Sequence, residues 1–128
     1  MSGDTTDWRE LREFKAVDLT QSYVLAWTVE SGSLLIDVDL YLCPNHALYE
    51  EPRPAEKACY RPAFIDFPHC ESATDSATGR QLADSVKMLQ AGKIHNLKRT
   101  GEGRYEIFGH FGTVSIRAER PMVRLKDI

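Results

Sequence analysis

The clearest pattern along the chain is an alternation of period two. Tyr23, Leu25, Trp27 and Val29 interleave with Val24, Ala26 and Thr28, and beyond Ser31-Gly32-Ser33 the residues Leu34, Ile36, Val38, Leu40 and Leu42 interleave with Leu35, Asp37, Asp39 and Tyr41. Period two on both sides of a glycine-containing turn predicts a β-hairpin. Its second strand sends five aliphatic residues to one face and two carboxylates and a tyrosine to the other. The expected core is Leu25, Trp27, Val29, Leu34, Ile36, Val38, Leu40, Ile107, Val114 and Ile116.

Weaker signals fill in the rest. Asp7 and Glu10 have the spacing of a helix cap, so a short helix is expected there. Residues 44–56 form a proline-rich loop, and 57–67 return to strand composition, with Pro62 arguing for an edge strand or a bulge. Residues 72–79 read as a polar turn. Leu82, Val86 and Leu89 share one helical face, with Thr78 and Gln81 at capping spacing and Gly92 as the stop. A second hairpin runs from Arg104 to Phe111 and from Thr113 to Glu119, and Val123 and Leu125 suit a last short strand. The fold class is therefore α+β and mostly β. It is an antiparallel sheet or partly closed barrel built from hairpins, with one main helix over about 79–91.

Composition narrows the class. The chain has 128 residues, 27% of them charged and 42% hydrophobic. These are ordinary values for one globular domain, with residues 1–12 readable as a loosely attached segment. The net charge of −3 excludes a nucleic-acid binder that works by bulk charge. It is unevenly spread. Residues 1–56 hold 4 basic and 11 acidic side chains, a net of −7, and residues 57–128 hold 12 basic and 8 acidic, a net of +4. Two such halves attract each other within one domain. No apolar run is long enough to cross a bilayer, and no export signal precedes the domain, so a cytoplasmic setting without membrane contact is expected.

Several clusters could carry chemistry. Cys43 and His46, with Cys59, His69 and Cys70 further on, are ligand types for zinc, but zinc modules need two paired short bites and only one is present. No metal and no other cofactor is expected. Asp37 and Asp39 fall on one strand face, where paired carboxylates can serve acid/base chemistry or simply solvate the face. Gly109-His110-Phe111-Gly112 lies between strands, so it reads as a turn and not as a nucleic-acid clamp. Phosphate-loop, dinucleotide, metalloprotease and nucleophile-elbow signatures are lacking, and no catalytic residue is assigned. The long loop carries the strongest recognition chemistry. His46, Tyr49, Arg53 and Tyr60 surround its prolines, and Tyr and Arg dominate recognition hot spots.

Ser22 to Trp27, Pro44 to Tyr49, Ala58-Cys59-Tyr60 and Phe111 to Val114 together resemble a family of small uncharacterised bacterial proteins, over most of the chain from about residue 14. That resemblance implies no activity and transfers no catalytic residue. In size and style alone, small domains of this build are similar to immunity proteins that neutralise a toxin. The leading expectation is a small cytoplasmic protein-binding module with a protein partner. The alternatives are a small-molecule site in a mouth of the sheet lined by Trp27, Tyr41 and Tyr60, and, third, a zinc-dependent protein using Cys43 and His46.

Overall fold

The computed structural model describes residues 5–46, 60–75 and 92–126. Nine strands are found among the described residues: β1 (Thr6–Asp7), β2 (Val17–Glu30), β3 (Ser33–Leu42), β4 (Tyr60–Phe67), β5 (Ser72–Asp75), β6 (Gly92–Gly101), β7 (Arg104–Gly109), β8 (Gly112–Arg117) and β9 (Met122–Leu125). All pair antiparallel, in the order β5-β8-β7-β6-β2-β3-β4-β9, with β1 on β6. The protein is thus mostly β, as the alternation implied, and the sheet is open. It curls strongly, because Phe67 on β4 meets Tyr105 on β7, four places away in strand order, with ring centroids 5.2 Å apart.

Two short 3-10 turns, Trp8–Glu10 and Arg12–Phe14, precede β2. Asp7 caps the first by accepting the Arg9 amide at 3.0 Å. Trp8 and Leu11 from this N-terminal segment are each only 4% exposed and belong to the core. The helix expected over 79–91 lies outside the described residues. No helix among the described residues is long and apolar enough to cross a membrane.

The first hairpin forms as predicted. Ser31 and Gly32 both have positive φ, the requirement of the two-residue turn whose twist matches the strands. On β3 the aliphatic residues at 34, 36, 38, 40 and 42 are buried, each worth about 1.5–3 kcal/mol. β2 is different. Its buried positions are Val17, Leu19, Ser22, Val24 and Trp27, so the period of two breaks twice. Each break coincides with a register shift, between Asp18 and Tyr23 and between Val24 and Ala26. Such bulges insert residues without a partner and switch the facing of the rest of the strand. Leu25, expected inside, is therefore exposed, at 52%, while Val24 is buried. Val29 keeps the facing of Trp27 and pairs with buried Leu34, but near the open end of the hairpin it is 40% exposed.

The first bulge has its own hydrogen bonds. The buried Ser22 hydroxyl donates to the Asp18 carbonyl at 2.8 Å and accepts the Tyr41 amide at 2.9 Å. The Asp18 carboxylate accepts from the Thr20 amide, the Thr20 hydroxyl and the Gln21 side chain.

Two further expectations need correction. β4 is an internal strand, between β3 and β9. Pro62 is tolerated because its carbonyl faces the β9 side, where it accepts the Lys126 amide at 2.9 Å. Its nitrogen faces the same side, beyond the last paired residue, Ala63 with Leu125. Residues 72–75, read as part of a turn, form β5 and pair with β8. At the β7–β8 turn His110 is exposed and Phe111 is buried, as expected. Gly109 is required there, since a Cβ would fall 2.2 Å from the Lys93 carbonyl oxygen.

Candidate functional site

β2, β3, β4 and β9 share an outward face, and strand register sorts its residues into rows. Asp18, Tyr41 and Tyr60 form one row, and Tyr23, Asp39 and Pro62 the next. Ala26, Asp37, Phe64 and Arg124 form the third row, and Thr28, Leu35, Asp66 and Met122 the fourth. These rows hold four aromatic rings, those of Tyr23, Tyr41, Tyr60 and Phe64, and four carboxylates, those of Asp18, Asp37, Asp39 and Asp66. Tyr41 and Tyr60 stand edge to face with centroids 5.5 Å apart, and Tyr23 lies 6.3 Å from Tyr60 at a tilt of 46°. Tyr23 is 41% exposed, and Tyr41 and Tyr60 are half-buried.

The carboxylates on this face differ in how they are compensated. Asp37 pairs with the Lys126 ammonium, which also sits 4.6 Å from the centroid of the Phe64 ring. Asp66 receives the Arg124 guanidinium at 2.8 Å. The Asp18 carboxyl is pushed up by burial, but the hydrogen bonds from Gln21 and Thr20 outweigh this and hold it below its ordinary range. The Asp39 carboxylate makes no hydrogen bond or ion pair among the described residues, and burial raises its pKa. Tyr60 is also raised, first by burial and then by the charges or dipoles of Tyr23, Asp39, Tyr41 and Asp18. Asp18 and Asp39 thus both lie near Tyr60, and the Arg61 guanidinium donates to the Tyr60 main-chain carbonyl at 2.8 Å.

The structure separates several residues that the sequence grouped. Tyr60 opens β4 within the aromatic cluster. His46 lies just past the end of β3, in a turn where its amide donates to the Cys43 carbonyl at 2.9 Å. Tyr49 and Arg53 lie outside the described residues. Trp27 does not join Tyr41 and Tyr60 in one mouth. It is buried on the inner side, edge-on to Phe111 at 5.0 Å.

Among the described residues no three His, Cys, Asp or Glu side chains converge on a metal position. Cys43 and Cys70 are free thiols, and burial raises the pKa of both, which keeps them protonated near neutral pH. Cys59 lies outside the described residues. His69 and Cys70 diverge, with His69 exposed and the Cys70 thiol 3.4 Å from the Ser72 carbonyl. His95 and His110 meet edge to face at 4.8 Å on the other half of the sheet.

Tyr23 is the site residue that the alternation misplaces. Period two groups it with Leu25 and Trp27, and only the bulge after Val24 separates it from Trp27. The chain matches no family model, no curated protein and no solved structure.

Proposed function

We propose that this chain is a small protein-binding module that engages its partner through the outward face of β2, β3 and β4. The observation that carries this reading is the trio of partly exposed tyrosines around Asp39, a carboxylate with no compensating cation among the described residues. Tyrosine supplies large contact area at low entropic cost and is enriched in binding hot spots. The carboxylates of the face disfavour a nucleic-acid backbone, whose phosphates they would repel. His46 lies at the rim, close to the end of β3. A cytoplasmic setting goes with this reading, on the strength of the two free thiols.

The test is quantitative affinity capture with three baits: the wild-type chain, a Tyr23→Ala/Tyr60→Ala variant, and Lys98→Ala on the β6–β7 side of the sheet. The reading expects a partner that wild type and Lys98→Ala retain equally and the tyrosine variant loses by tenfold or more, the effect of roughly 1.4 kcal/mol at a hot spot. An identical set of captured proteins on all three baits would overturn it, provided the melting curves show each bait folded.

A further inference from the structure

We propose that Tyr23, Tyr41 and Tyr60, gathered around Asp39, form a receptor for a single cationic head, the ammonium or guanidinium of a lysine or arginine side chain presented by the partner. This rests on the binding-module reading above and names what that face recognises. The protein itself contains the precedent. One row away, Lys126 shares its ammonium between the Asp37 carboxylate and the face of Phe64. The row of Asp39 repeats those components, a carboxylate bordered by aromatic rings, without a cation of its own among the described residues.

Three physical terms favour such an occupant. Aromatic faces carry negative potential and attract a cation within about 6 Å of the ring centroid. Tyr23 and Tyr60 tilt at 46° with their centres 6.3 Å apart, so their faces are inclined to one another and a cation seated above the pair meets both, while Tyr41 backs Tyr60 edge-on. Asp39 lies directly across from Tyr23 in the ladder and two residues from Tyr41 on the same strand face. A half-buried carboxylate without a partner is poorly solvated, and an incoming cation relieves that penalty while making a charge-assisted hydrogen bond. Asp18, in the neighbouring row, adds to the field while its own oxygens are already engaged by Thr20 and Gln21. An anion would meet these two carboxylates and be repelled. A zinc ion finds one carboxylate and no thiol or imidazole among the residues that form the receptor.

The experiment is an NMR titration of the isotopically labelled full chain with methylammonium, tetramethylammonium and methylguanidinium chlorides, each against sodium chloride at matched ionic strength. We expect at least one organic cation to give saturable shifts centred on Tyr23, Asp39, Tyr41 and Tyr60, with a dissociation constant of about millimolar order for so small a probe. Asp39→Asn should weaken binding about tenfold and Tyr60→Leu several-fold, with both variants shown folded by their melting curves. If none of the three cations moves these four residues beyond the salt control, or if Asp39→Asn leaves their binding unchanged, the proposal is overturned. Should these residues stay silent while partner capture still depends on Tyr23 and Tyr60, the cation receptor falls and the binding face stands. Conversely, cation binding at these residues with no partner lost by the tyrosine variant would overturn the assignment to a partner's side chain and leave a site for a free organic cation.

Discussion

Replacing Ser22 by alanine tests how the sheet tolerates its largest irregularity. Ser22 is 0% exposed, and its hydroxyl is both donor to the Asp18 carbonyl and acceptor for the Tyr41 amide. Alanine fills nearly the same space, so cavity formation contributes little. The cost comes from a buried Tyr41 amide left without that acceptor, and from an Asp18 carbonyl that loses that donor. Stranding a buried donor costs about 1–3 kcal/mol. Taking the middle of that range, at ~4 °C per kcal/mol for a domain of this size, the melting temperature should fall by about 8 °C. Hydrogen exchange offers a local readout, because the Tyr41 amide should lose protection more than the amides of β7 and β8. The reasoning is refuted if the variant melts within about 0.5 kcal/mol of wild type and Tyr41 keeps its protection.

The bulge between Val24 and Ala26 makes a paired prediction. Leu25→Asp should leave the melt nearly unchanged because Leu25 faces solvent, whereas Val24→Asp buries an unpaired charge and should prevent stable folding, as should Ile36→Asp. Circular dichroism and a thermal melt of the three variants decide it. The Asp18 carboxyl should contribute to stability through its lowered pKa. With a folded pKa below the unfolded one, that contribution is fully present above about pH 5 and disappears as the pH falls through the folded value. The stability difference between wild type and Asp18→Asn, measured by denaturation across acid pH, should therefore shrink toward the acid end, and a constant difference would contradict this origin. Asp39 has the opposite sign. Its raised pKa means that ionisation destabilises the fold, so its penalty is relieved on the acid side.

Much of the sheet could be read in the chain because β3 keeps strict alternation and three pairs of adjacent strands are joined by short turns. Ser31-Gly32, Glu102-Gly103 and His110-Phe111 each close a hairpin between adjacent strands. The uneven charge was also informative, since Glu13 with Arg120 and Asp37 with Lys126 join the acidic first part to the basic second. β2 resisted because a bulge leaves no mark in hydrophobic periodicity. The residues that hold its first bulge, Asp18, Thr20, Gln21 and Ser22, look like an ordinary polar strand end. Pro62 misled for a related reason, as its compatibility with an internal strand depends on where β9 stops and not on its own neighbours. Of the candidate site, the Asp37, Asp39 and Tyr41 face of β3 was legible from spacing, and Tyr60 from residue type. The arrangement of Tyr23 and Tyr60 on either side of Asp39 depends on strand order and register, which pair residues far apart in the chain.

The measurement that bears most directly on the outward face needs no partner. Asp37→Asn and Asp39→Asn are the same chemical change, two residues apart on one face of β3. Asp37 is neutralised by Lys126, whereas Asp39 is half-buried with no partner among the described residues. At neutral pH, removing the Asp37 charge breaks an ion pair worth about 1 kcal/mol and should lower the melting temperature by roughly 4 °C. Removing the Asp39 charge abolishes an uncompensated desolvation cost, so Asp39→Asn should melt at or above the wild-type temperature, the signature of a group kept for binding at the expense of stability. If Asp39→Asn is destabilised as much as Asp37→Asn, then Asp39 holds the fold together, and the tyrosines around it form a structural network instead of a recognition site.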